Sequence, residues 1–180
     1  MNVRRSNVSR RANSKQNSTQ DVSNSKNSSV TKRLMKELSD IMMANDSNVT
    51  AFPMEDDTFK WTGKIKGPEG SVYSGKAYKM SLKFPATYPY EAPTITFATP
   101  CFHPNVDMAG NICLDTLKER WSSCNSVHSI LVSIQSLLQD PNVSSPLNAR
   151  AATLWENQTA YKEELDKHSK EAFEVYKEWQ

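Results

Sequence analysis

A chain of 180 residues with 37% hydrophobic residues and three cysteines holds the core of one domain and too few thiols for a disulfide scaffold. Its charge is divided: residues 1–30 carry six basic residues against the single acid Asp21, or +5, and the remaining chain carries sixteen basic against nineteen acidic, or −3. The domain is therefore no basic nucleic-acid binder, and no apolar stretch approaches the length of a membrane span or forms a secretory core after Met1. A reducing location, cytoplasm and nucleus, is expected.

Residues 1–30 contain 14 Asn plus Ser and no aromatic residue. Such a segment has little apolar surface to offset the entropy of ordering, so a disordered basic extension is expected, with one domain over 31–180. The domain opens with a predicted helix capped by Thr31. Leu34, Leu38, Ile41 and Met42 recur at helical spacing, Lys32, Arg33, Lys36 and Glu37 take the exposed positions, and Asn45-Asp46-Ser47 ends it. From Val49 to Phe97 the texture changes to short aromatic and β-branched runs. Phe59, Trp61 and Ile65 form one strand ending at Gly67-Pro68; Tyr78, Met80, Leu82 and Phe84 alternate up to Pro85; Thr94–Phe97 supplies another. No gap between these runs holds a crossover helix, which predicts an antiparallel sheet with hairpin connections. Val127, Ile130, Leu131, Ile134, Leu137 and Leu138 make an apolar helical face to cover it. A last helical region runs from about Thr159 to Trp179, packing through Tyr161, Leu165, Ala172, Tyr176 and Trp179. The expected class is α+β: a four-stranded antiparallel sheet with an N-terminal helix and C-terminal helices.

The densest motif is His103 to Trp121, HPNVDMAGNICLDTLKERW. Pro104 and Gly110 exclude a regular helix or a continuous strand there. Ile112 and Leu114 flank Cys113 and anchor it at the rim of a core, where a thiol on a pinned loop can meet a large partner. Burial as a small apolar side chain is the competing role for such a cysteine.

Residues 31–173 resemble the catalytic domain of ubiquitin-conjugating enzymes. The resemblance rests on features in order: the opening helix, Gly67-Pro68 with Tyr73 and Gly75, FPATYPYEAP from Phe84 to Pro93, His103-Pro104-Asn105, GNICLD from Gly110 to Asp115, Trp121, and Asp140-Pro141-Asn142 before Pro146-Leu147. His-Pro-Asn alone is a weak signal. With the cysteine eight residues later, and then the tryptophan, it is specific. TPCFHPNVDMAGNICLD, Ala51-Phe52-Pro53 and SIQSLL at Ser133–Leu138 are most similar to the mitotic, cyclin-selective branch that works with the anaphase-promoting complex.

The resemblance implies acyl transfer. Cys113 takes the ubiquitin C-terminal glycine from an activating enzyme as a thioester and surrenders it to an amine or a ligase thiol, a task suited to sulfur because the thioester stays reactive. It gives Asn105 a role at the oxyanion of aminolysis or in supporting the loop, and gives His103, with Pro104, a mainly structural one. Asp115 and Ser145 are candidates for activating the incoming lysine; Ser145 stands where many family members carry an acid. No tightly bound cofactor is implied, ATP being consumed upstream by the activating enzyme. Lys32, Arg33 and Lys36 resemble activating-enzyme contacts. Pro89 and Tyr90, with Ser122 and Ser123, resemble the positions that dock a RING-type ligase, and Thr50 a noncovalent ubiquitin-binding face. Expected partners are ubiquitin, the activating enzyme, that ligase and protein substrates, with no membrane and no specific nucleic acid.

Other classes fit less well. Cys101, His103, Cys113 and Cys124 lack the paired-knuckle spacing of a zinc site. A cysteine hydrolase needs a base held against Cys113, and His128 has no orienting arrangement in the sequence to serve as one. Retention of Cys113 and Asn105 argues against a catalytically inactive ubiquitin- or ligase-binding scaffold. A carrier of a different ubiquitin-like modifier shares the same chemistry and stays open.

Overall fold

The computed structural model describes residues 29–179 apart from 115, 116 and 118. The expectations for the basic extension up to residue 28 and for Asp115 lie outside the described residues.

Helix α1 covers residues 29–44. It has already formed at Ser29, so Thr31 lies inside it and is not its cap, and buried Val30 belongs to the domain. The inward stripe is Val30, Leu34, Glu37, half-buried Leu38 and Ile41. Two expectations are corrected here. Met42 is 64% exposed, since a residue eight positions after Leu34 is turned well away from it. Glu37 is 3% exposed although charged, because it has partners on other elements. Asn45 ends the helix at φ 45°, the left-handed region that asparagine tolerates.

Four strands follow, β1 (Val49–Met54), β2 (Asp57–Lys66), β3 (Ala77–Lys83) and β4 (Thr94–Phe97), antiparallel in the order β1-β2-β3-β4. Alternation delivers Trp61, Gly63 and Ile65 of β2, Met80 and Leu82 of β3, and Ile95 and Phe97 of β4 to the interior. Only β1 and β2 join through a tight hairpin. The segment from Gly67 to Lys76 folds back on itself, and a Cβ on Gly67 would lie 2.0 Å from the Tyr73 carbonyl oxygen, so the close approach there requires glycine.

Helix α2 (Val127–Gln139) is opened by a reciprocal capping box between Ser126 and Ser129 and lays Val127, Ile130, Leu131, Ile134 and Leu138 into the core, against β1 and β2. The last helical region, expected from about Thr159, consists of two helices, α4 (Gln158–His168) and α5 (Lys170–Lys177), divided where the Ser169 hydroxyl donates to the Leu165 carbonyl at 2.6 Å. The break rotates the packing face, so that Val175 is buried where Tyr176 and Trp179 were expected and those two are half-buried. A short helix α3 (Ala149–Leu154), capped by the Asn148 side chain on the Ala151 amide, precedes them. None of the described helices is long and apolar enough to cross a membrane.

Candidate active site

The segment from Thr99 to Leu114 holds Cys113, and hydrogen bonds tie it to several separate parts of the chain. Phe102 is fixed first: its carbonyl accepts from the buried phenols of Tyr73 at 2.8 Å and Tyr161 at 2.9 Å. His103 is next and fully buried. Its Nε2 donates to the Leu137 carbonyl at 2.8 Å, so Nδ1 is left as the acceptor, and the Asn105 amide donates to it at 3.0 Å. Burial holds this imidazole neutral, its pKa lowered to about 4. With both nitrogens engaged, His103 is a brace between loop and helix α2 and has no lone pair to offer a thiol. The Pro104 carbonyl accepts from the amides of Leu147 at 2.8 Å and Asn148 at 3.0 Å, tying the loop to the start of α3.

Asn105 is 1% exposed. Its Nδ2 donates to the Asn142 carbonyl at 2.8 Å and its Oδ1 accepts from the Asn142 amide at 2.8 Å, a two-way clasp on the loop after α2. The Asn142 side chain in turn accepts from the amide and hydroxyl of Ser144. Ser145, next along, is exposed on this clasped loop. The Asn105 carbonyl accepts from the Cys113 amide at 2.9 Å, so Asn105 positions the cysteine backbone and the Asn142 loop together.

The chain reaches Cys113 through a turn that Asp107 organises. Its Oδ1 accepts from the amides of Ala109 and Asn111, its Oδ2 from the Asn111 side chain, and these bonds, the Asn111 side chain's first, hold its carboxyl below the usual carboxylate range. Gly110 sits at φ 82°, where a Cβ would lie 2.2 Å from the Phe97 carbonyl oxygen. Its own carbonyl accepts from the Phe97 amide at 2.9 Å, which docks the turn on β4. Ile112 is buried and Cys113 half-buried, with a free thiol. Of the other two thiols, Cys101 lies against the core, where burial pushes its pKa up, and Cys124 is exposed.

Two further faces flank this loop. Trp121 Nε1 donates to the Pro89 carbonyl at 2.9 Å and joins the β3–β4 connection to the loop before α2. That bond brings the expected docking residues Pro89, Tyr90, Ser122 and Ser123 onto two linked loops; Tyr90 is 83% exposed and both serines are exposed. On α1, Lys32 and Lys36 face solvent, Lys36 pairing with Asp40 at 2.6 Å. Arg33 does not stand with them, because its guanidinium is drawn inward to Glu37 and to the Asn125 carbonyl. Thr50 turns its Oγ1 into the protein, where it has no hydrogen-bond partner among the described residues, and Phe52 and Met54 are the large apolar side chains that β1 exposes. His128 pairs with Asp46 at 3.1 Å. Sequence reasoning assigned no role to Asp107, whose signal was an Asp three residues before a Gly, or to Glu37, which carried none.

The fold and this loop define the ubiquitin-conjugating catalytic class. The family model for ubiquitin-conjugating enzymes matches residues 33–169. A fission yeast (Schizosaccharomyces pombe) protein, ubiquitin-conjugating enzyme E2-20 kDa, is 51% identical over 149 residues, 82% of this chain and 85% of that one. Among solved structures, the H. polymorpha ubiquitin-conjugating enzyme Pex4p, crystallised with the soluble domain of Pex22p, superposes with a TM-score of 0.72 at 30% identity, over 77% of this chain and 94% of that one. A putative ubiquitin-conjugating enzyme from Plasmodium yoelii superposes with a TM-score of 0.72 at 38% identity, over 78% and 92%. The chain belongs to the ubiquitin-conjugating enzyme family and is a thioester-carrying acyltransferase.

The braced histidine has a consequence for stability. Unfolded, the imidazole binds a proton below about pH 6.5; folded, it does so only near 4. Between those values the unfolded chain binds more protons, so the contribution is complete above 6.5 and is lost as pH falls. Between pH 6.5 and 5 the loss is about 2 kcal/mol. Urea unfolding at those two pH values checks it, and an unchanged midpoint would contradict the buried neutral state.

Proposed function

We propose that Cys113 is the residue that carries ubiquitin. The observation that supports this most is its setting: a half-buried free thiol whose own amide is pinned by Asn105, on a loop braced through His103, Pro104 and Asp107. The Cys113 thiolate attacks the thioester carbonyl of the ubiquitin C-terminal glycine on the activating enzyme. The tetrahedral intermediate collapses, the activating enzyme's thiolate leaves, and a new thioester stands on Cys113. In the second half a substrate lysine amine attacks the same carbonyl, the Cys113 thiolate departs, an amide forms, and the amine's proton passes to solvent. Asn105 holds the Asn142 loop over this centre, and the Nδ2 proton not given to Asn142 is its means of meeting the oxyanion. The test is charging with activating enzyme, ATP and ubiquitin on a nonreducing gel, with other ubiquitin-like modifiers in parallel. A thiol-sensitive band with ubiquitin supports the assignment, and a band with another modifier alone would replace it.

Lys32 and Lys36 supply the exposed charge for the activating enzyme, and Tyr90 an aromatic anchor for a RING-type ligase, with Pro89, Ser122 and Ser123 beside it. Within the family we assign the chain to the branch that works with the anaphase-promoting complex on mitotic cyclins, in cytoplasm and nucleus, with the residues before Ser29 as a modulatory extension. The TPCFHPNVDMAGNICLD and SIQSLL stretches carry that assignment. Transfer to a cyclin fragment by the purified complex tests it, and no transfer above a non-cognate RING ligase would reject it.

Ser145, which is exposed, and Asp115 are the residues we put forward for activating the lysine. A serine lacks the charge that an acid gives an approaching ammonium group. Ser145→Asp is therefore expected to raise discharge to free lysine, measured as loss of the thioester band; an unchanged rate would assign lysine activation to other groups.

A further inference from the structure

Glu37 is a carboxylate on the buried stripe of α1, and its bonds run to Arg33 on the same helix, to Tyr88 in the β3–β4 connection and to Val127 at the start of α2. Its Oε1 accepts from Arg33 Nε at 2.7 Å and from the Tyr88 hydroxyl, and its Oε2 accepts from the Val127 amide at the start of α2. Arg33 continues outward: Nη2 donates to the Asn125 carbonyl at 2.9 Å, and the guanidinium lies over the Tyr88 ring, 5.7 Å from its centroid. Tyr88 immediately precedes Pro89 and Tyr90. The Asn125 amide donates to the Ser122 carbonyl at 2.9 Å and closes the turn that carries Ser122 and Ser123. One carboxylate–guanidinium pair thus fixes the base of both loops, and the Trp121–Pro89 bond closes the frame farther out.

We infer that the Arg33–Glu37 pair, acting through Tyr88 and Asn125, is a positioning device that sets the spacing between Tyr90 and Ser122–Ser123, and with it the fit of the RING partner. This rests on the docking role given to those residues above. Glu37 is buried and Arg33 half-buried, and such an ion pair contributes little net stability, because desolvation of the carboxylate offsets the attraction. What it supplies is direction: charge-assisted bonds are short and geometrically demanding, and here they constrain three chain segments that share no backbone pairing.

The experiment uses the full chain charged with ubiquitin and a purified RING domain that stimulates discharge from the unsubstituted enzyme. Tyr88→Phe removes one hydroxyl and keeps the ring; Glu37→Gln is the second variant. Each is expected to raise the RING concentration for half-maximal discharge about tenfold, with the ligase-free discharge rate and the rate at saturating RING unchanged. In a Tyr90→Ala background, Tyr88→Phe should add nothing further, because its effect passes through Tyr90. If Tyr90→Ala raises the half-saturating concentration and neither variant does, the positioning role is overturned and the docking role stands. If Tyr90→Ala itself has no effect, the docking role fails and the inference falls with it. A parallel drop in ligase-free discharge and thermal stability, with half-saturation unmoved, would reduce the pair to a structural one and overturn the inference.

Discussion

Cys113→Ser is expected to convert the ubiquitin adduct from a thiol-sensitive to a thiol-resistant species and to bring transfer to lysine to a halt. The substitution exchanges sulfur for oxygen and leaves the Cys113 backbone, whose amide is held by the Asn105 carbonyl, as it was. The defect is therefore chemical. A serine hydroxyl is a poor nucleophile without a base, and His103, with both ring nitrogens bonded inside the loop, is not one. Loading becomes slow, and the oxyester that forms is a weaker acyl donor than a thioester. Cys113→Ala should form no adduct. A gel run with and without reductant, and after mild alkali, separates these outcomes; a thiol-sensitive adduct on the serine variant would place the acyl group elsewhere.

Asn105→Ala has the second-largest expected effect. It removes both halves of the clasp on Asn142, and because Asn142 is exposed, water takes over its amide and carbonyl and the loop loses its tie to Asn105. It also removes the donor proposed above to meet the oxyanion. Loss of one oxyanion donor costs about 3 kcal/mol, near a hundredfold in rate, in a protease studied for this effect. Aminolysis of the Cys113 thioester should therefore slow by about that factor. Charging, which exchanges one thioester for another, should slow much less. Asn105→Asp keeps an acceptor for the Asn142 amide but loses the Nδ2 donor to both the Asn142 carbonyl and the oxyanion, so its aminolysis should fall at least as far as that of the alanine variant. Single-turnover loading and lysine discharge are the measurements, and equal loss in both, with the fold intact, would contradict the division.

Most of the fold was legible because its elements carry clean periods. Trp61 and Ile65, Tyr78 to Leu82, and the α2 stripe from Val127 to Leu138 each announce one buried face. Helix α3 was not legible: it is six residues long and buries only Ala151, so no apolar stripe exists to detect, and its one signal is the Asn148 cap. The break at Ser169 was missed because a serine that bonds back to Leu165 looks in sequence like any helix-surface serine. At the site, Cys113, His103 and Asn105 stood out through motif density. Arg33 and Glu37 were misplaced for a common reason: helical spacing gives the direction of a charged side chain but not the partners waiting on other segments. Glu37 is buried because Tyr88 and Val127 meet it, residues 51 and 90 positions away in sequence.

The central claim, that this enzyme carries ubiquitin on Cys113, is tested most directly by mapping the adduct on the unsubstituted protein. The chain is charged with activating enzyme, ATP and ubiquitin, digested without reductant at acidic pH, and its three cysteine-containing peptides are compared by mass spectrometry. Cys101 lies against the core with its thiol pushed up by burial, whereas Cys124 is exposed and competes for any nonspecific transfer. The account predicts the ubiquitin C-terminal remnant on the Cys113 peptide alone; a remnant on the Cys124 peptide, with Cys113 unmodified, would contradict it.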